Sequence, residues 1–221
     1  MKNQSYHFEI KDIVTQFVAA FNDVTINRYN KDKDIVDKIA VRYVYSPKER
    51  VLHDLVNKAQ HITLPAVAIS ISSIERDENR VFNKIVGQYD SKGSGIDTEF
   101  LPSPIPVNIS INMSILTRFQ TDLDQIISNF IPYSNPYIVI SWKVPSGISS
   151  TLQEIRSEVL WSGSLNITYP NELQPNQPTR VSADTSFTVK GWVFPGKQAV
   201  ASKNILYINT NFTPITGFEY I

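Results

Sequence analysis

The 221-residue chain carries 21 Lys+Arg against 21 Asp+Glu, so its formal net charge is zero, and only 19% of its residues are charged. Such a balance argues against a nucleic-acid groove or an anionic membrane surface as the main partner, since both require a basic excess. Zero cysteines exclude a disulfide framework, thiolate chemistry and a Cys-bound metal, while 42% hydrophobic residues are enough to bury a core in one domain, 1–221.

Met1 to Glu9 is polar and lacks the apolar centre of a signal peptide. No run approaches the roughly 18 apolar residues of a membrane span. Phe8, Ile10, Ile13, Val14, Phe17, Val18 and Phe21 then fall at helical spacing. Two strands are predicted next, near Val24–Tyr29 and Ile39–Tyr45, with Asn30–Asp34 as the turn between them. Ser46-Pro47-Lys48-Glu49 is a helix-start signal: Ser as cap, Pro in the first helical position, Glu three residues after the cap.

Leu64 to Ile74 returns to strand, with Val67, Ile69 and Ile71 alternating against Ala and Ser. Residues 75–103 lack a clear period and form a long connection in which Val81–Val86 could pair locally. The next stretch is the most informative. Ile105, Val107, Ile109, Ile111, Met113 and Ile115 alternate with Pro106, Asn108, Ser110, Asn112 and Ser114, which gives a strand with one apolar face. The period then switches: Phe119, Leu123, Ile126, Ile127, Phe130 and Ile131 lie three and four apart, with Thr121 and Asp124 as a capping pair and Pro132 as the stop. Tyr137–Trp142, Glu154–Tyr169 and Thr185–Phe194 are further strands, Pro170–Pro178 is a loop, and Ile205–Phe212 is a last strand. The fold class is therefore mixed α/β (α+β): a largely antiparallel sheet flanked by helices, with the extended 75–103 connection and a C-terminal arm, 196–221.

Chemistry is sparse. His53 and His61 are eight apart without Cys or a carboxylate set, so exposed or core-edge histidines are the economical reading. No nucleophile elbow or phosphate loop occurs. Asp122 and Asp124 sit where a helix dipole favours negative charge. Glu75, Asp77 and Glu78 beside Arg76 and Arg80 suit a surface ion-pair network. Trp142, Trp161 and Trp192 lie in strand patterns, as core or interface anchors, and Trp192 is expected to be buried. Catalytic, cofactor and metal sites are expected to be absent. The Asn108, Ser110, Asn112, Ser114 face carries no charge. It can be an ordinary solvated face or one packed against protein.

Four segments also carry a resemblance. They are Ile39–Arg50; Leu64-Pro65 with the strand after it; Pro102–Phe119 with Asp122, Ile126–Ile131 and Pro132-Tyr133; and Phe187-Thr-Val-Lys-Gly-Trp-Val-Phe-Pro195. In this order and spacing they resemble the tail sheath stabilizer and completion proteins of contractile-tailed bacteriophages. The resemblance implies a virion protein, assembled in the host cytoplasm. It implies a hexameric ring that ends the sheath and tube and contacts tail terminator, sheath and neck proteins, with no cofactor, membrane or nucleic-acid readout. A tube terminator or other neck-ring protein is the nearest alternative, and a β-rich carbohydrate-binding module a more distant one. On this reading Asn108, Ser110, Asn112, Ser114, Arg76, Arg80 and Phe82 are the candidate interface residues.

Overall fold

The computed structural model describes residues 7–57, 63–81, 87–92, 97–144, 154–169 and 180–195; for 56–57, 87–92 and 97–102 only the backbone is described. Helix α1 spans Glu9–Phe21. Strands β1 (Thr25–Tyr29) and β2 (Ile35–Ala40) form a separate antiparallel ribbon, and β3 spans Arg42–Tyr45. The single predicted strand Ile39–Tyr45 is thus two. The break is Val41, which is buried and donates its amide to the Val24 carbonyl, while Arg42 donates to the Pro65 carbonyl. The chain passes there from the ribbon to the main sheet. The predicted turn holds: the Asn30 side chain accepts from the amides of Asp32 and Asp34, both at 2.9 Å.

Helix α2 (Lys48–Asn57) starts one residue later than its signal predicts, and Ser46 Oγ is buried without a hydrogen-bond partner, so the hydroxyl does not cap. The first turn is closed instead by Arg50 and Val51 amides donating to the Pro47 carbonyl. Strand β4 (Ala66–Arg76) follows the cis Leu64–Pro65 bond, then a short 3-10 turn, Glu78–Arg80. Strands β5 (Gly87–Lys92) and β6 (Asp97–Pro102) make a second ribbon. The long connection therefore holds a hairpin, but farther along than Val81–Val86, of which 82–86 lie outside the described residues. So do Phe82, His61, the 170–178 loop and the 196–221 arm.

Strand β7 (Ile105–Thr117) feeds helix α3 (Gln120–Tyr133) as the change of period predicts. Phe119 occupies the cap position with no side-chain hydrogen bond, so Thr121 and Asp124 do not form the predicted capping pair. Strands β8 (Ile138–Lys143), β9 (Glu154–Thr168) and β10 (Val181–Val193) complete a six-stranded sheet of order β3-β4-β7-β10-β9-β8. Every pairing in it is antiparallel except β3 with β4. Helices α1 and α3 cover one face. Val107, Ile109, Ile111, Met113 and Ile115 of β7 and Ala183, Phe187 and Val189 of β10 point into that layer. Phe187 is its hub, with ring centroids 5.2 Å from Phe17 and 5.6 Å from Phe130. Helix α2 lies on the opposite face at one end, where Val51 packs on Ala68 and Leu116.

Candidate assembly interface

The face away from α1 and α3 is built by parity. On β7 and β10 every second residue points there, and the register sets Ser114 beside Asp184, Asn112 beside Ser186, Ser110 beside Thr188 and Asn108 beside Lys190. On the other side of β7, Ala68 lies beside Ser114 and Ser70 beside Asn112. From Asn108 to Ser114 this floor is about 20 Å long at roughly 3.3 Å per residue. It is made chiefly of hydroxyls and amides.

Two clasps close its ends. At the α2 end, Lys48 Nζ donates to Asp184 Oδ2 at 2.6 Å and to Ser182 Oγ at 3.1 Å. At the other end Arg80 donates to Asp77 Oδ2 (2.7 Å), the Val107 carbonyl (2.8 Å) and Asn108 Oδ1 (3.3 Å), and its guanidinium lies 5.0 Å over the Trp192 ring. Between the clasps the floor opens into a trough of about 430 Å³, lined among others by Glu49, Ser70, Asn112, Ser114 and Asn166.

The candidate residues from the sequence fall on this geometry as follows. Ser114 is buried beside the α2 end, Asn108 and Ser110 are half-buried, and Asn112 is exposed. Arg80 joins the group through Asn108, and its Nε and Nη2 donors are taken up within the chain. Arg76 is exposed at the end of β4, apart from the trough. The predicted surface network of charges at 75–80 reduces, among the described residues, to the Asp77–Arg80 pair, which is largely buried. Arg80's hydrogen bond, more than any other factor, holds the Asp77 carboxyl below its usual range.

Trp142 is fully buried, its indole N–H donating to Ser157 Oγ at 2.9 Å. Trp192 is only half-buried, because β10 turns it to the trough side and its cover there is Arg80. Trp161 donates to Thr185 Oγ1, which in turn donates to the Ser164 carbonyl, both at 2.7 Å.

Sequence reasoning missed a second feature. The β1–β2 ribbon is fastened to the start of α3: Arg28 Nη2 bonds Asp122 Oδ2 at 2.9 Å, the Arg28 guanidinium lies 4.7 Å over Phe119, and Gln125 exchanges hydrogen bonds with the Asn27 backbone. Asp122 is therefore a buried ion-pair partner, and burial pushes its carboxyl up despite the opposing charge of Arg28. Beyond this clasp the ribbon exposes Tyr29, Ile35 and Val36. No local pattern marks a pairing between residues 94 apart.

Among the described residues no cluster of metal-binding side chains occurs, and no helix is long and apolar enough to cross a membrane. The chemistry this surface offers is adaptable hydrogen bonding and apolar contact.

A family model described as T4-like virus Myoviridae tail sheath stabiliser matches residues 4–217. No curated protein matches the sequence. Among solved structures, the PVC sheath/tube terminator of an extracellular contractile injection system, in its extended state, aligns with a TM-score of 0.45 and 11% identity over 99% of this chain and 67% of that chain. The tube-terminating cap of the anti-feeding prophage aligns with a TM-score of 0.36 and 10% identity over 95% of this chain and 62% of that one. The chain thus spans about two thirds of the length of these structures or less.

Proposed function

The chain belongs to the T4-like virus Myoviridae tail sheath stabiliser family, and from that premise we propose that its copies close into a hexameric ring at the head-proximal end of a contractile tail. The ring ends growth of the sheath and tube, holds the sheath's upper end during contraction and joins the tail to the neck. Its neighbours are the tail terminator, the sheath and the neck proteins. Its work is mechanical, with no reaction catalysed, and it assembles in the host cytoplasm before residing in the virion.

The observation that carries this reading is the family match over residues 4–217. Three physical features support it. The Ser, Thr and Asn in the middle of the floor can be covered by protein without stranding charge, and the charges at its ends, Asp184 and Lys190, are already paired with Lys48 and Glu158. Zero net charge leaves little repulsion between copies. Two ribbons lie outside the hydrogen bonding of the main sheet, and one of them, β1–β2, exposes Tyr29, Ile35 and Val36.

Electron microscopy of the purified protein, alone and bound to tails, tests the proposal. Six-fold rings at the upper end of the sheath are expected; monomers that never bind tails overturn it. Deleting Val81–Gly95 tests the connection as a contact between copies. A smaller assembly by light scattering is expected, and an unchanged hexamer refutes that role.

A further inference from the structure

The six-stranded sheet ends in two edges of unlike character. β3 is only four residues long, a short edge of the kind that discourages pairing. β8, at the opposite edge, runs Ile138-Val-Ile-Ser-Trp-Lys143, with its one charge at the far end. Val139 in its middle is 51% exposed and Tyr137 just before it 49%. Among the described residues no strand pairs with the outer side of β8. An apolar edge of this length, with neither proline nor charge in its middle, is a template for another strand.

The same chain holds a complementary object. β5 and β6 pair with each other from Gly87 opposite Pro102 to Lys92 opposite Asp97. Beyond that pairing, neither makes more than slight contact with another described element. A lone two-stranded ribbon is marginal in water and gains stability from a third strand.

We propose that the β5–β6 ribbon of one copy adds to the β8 edge of a neighbouring copy and so continues the six-stranded sheet across the boundary between them. This deepens the ring reading and rests on it. Ribbon and edge are different surfaces of one chain, so the contact is head-to-tail, the type that repeats around a ring and closes. Backbone hydrogen bonds supply the attachment, which needs no charged side chain in the contact.

Disulfide trapping tests this cleanly, because the full chain has no cysteine. Edge variants Val139→Cys and Ser141→Cys are each mixed with ribbon variants Tyr89→Cys and Phe100→Cys, which lie opposite each other across the ribbon. The mixtures are then oxidised. Because each copy carries one cysteine, a linked edge–ribbon pair reports pairing between copies alone. Ser128→Cys, on the exposed side of α3, sets the background. Circular dichroism confirms the fold of each variant, and light scattering gives its mass.

At least one edge–ribbon mixture is expected to give a linked dimer several-fold above that background. A ring-sized assembly with no such link overturns the strand pairing and leaves the ring intact. A protein that stays monomeric overturns both.

Discussion

Asp122 and Asp77 each face an arginine, yet burial and pairing move their titrations in opposite directions. Asp122 sits above the ordinary carboxylate range because burial outweighs Arg28. The stability it contributes is full below that range and is lost as pH rises through its raised value. Arg28→Ala leaves this carboxylate buried and unpaired, so it should cost about 2 kcal/mol at neutral pH. The cost should shrink on acidification, as Asp122 takes up a proton; urea denaturation at several pH values measures it. Asp77 sits below the ordinary range, chiefly through its Arg80 hydrogen bond. Its contribution is present above that range and is lost as pH falls through its lowered value. Asp77→Asn should therefore flatten the acid limb of the stability profile, and the same titration reads it. Of the tryptophans, Trp142 is the fully buried one, so Trp142→Ala should cost about 3–5 kcal/mol and Trp192→Ala clearly less, by thermal or chemical unfolding. The strand pattern placed both indoles on strands. It could not show that Trp192's cover comes from an arginine more than a hundred residues earlier.

At the scale of elements, α1 and β10 approach closely at Gly191. A Cβ built there would lie 3.0 Å from Ile13 Cδ1 and 3.4 Å from Ile109 Cδ1. Gly191→Val should therefore push helix from sheet and cost about 1–3 kcal/mol, visible as a lowered unfolding midpoint. The trough floor gives a contrasting case. Ser110→Lys places a charge on a half-buried position between Asn108 and Asn112, and should weaken assembly with little loss of monomer stability. Sedimentation beside thermal unfolding separates the two effects; unchanged assembly would place the floor in solvent. The strand–helix unit β7–α3 was legible in the sequence because its change of period lies in one continuous stretch. Its cap was not, nor was that of α2. Ser46 and Thr121 are capping residue types, but Ser46 falls two residues before α2 and Thr121 inside α3, and the first turns are closed by the backbone carbonyls of Pro47 and Phe119.

For the whole molecule, alternation along β4 and β7, with the β-branched and aromatic residues of β9 and β10, was enough to foresee a largely antiparallel sheet with helices on it. Two things were not foreseeable. The chain leaves one sheet and joins another at Val41, a decision made by hydrogen bonds to Val24 and by its neighbour's bond to Pro65. The β1–β2 ribbon is also held by Arg28 reaching across 94 residues to Asp122. Both depend on contacts distant in sequence, which periodicity does not encode. The trough floor has a consequence of its own. Attraction between ions fades as electrolyte is added, whereas bonds between hydroxyls and amides are nearly indifferent to it. Whatever seats itself on Ser110, Asn112 and Ser186 should keep its grip in brine and in dilute buffer alike.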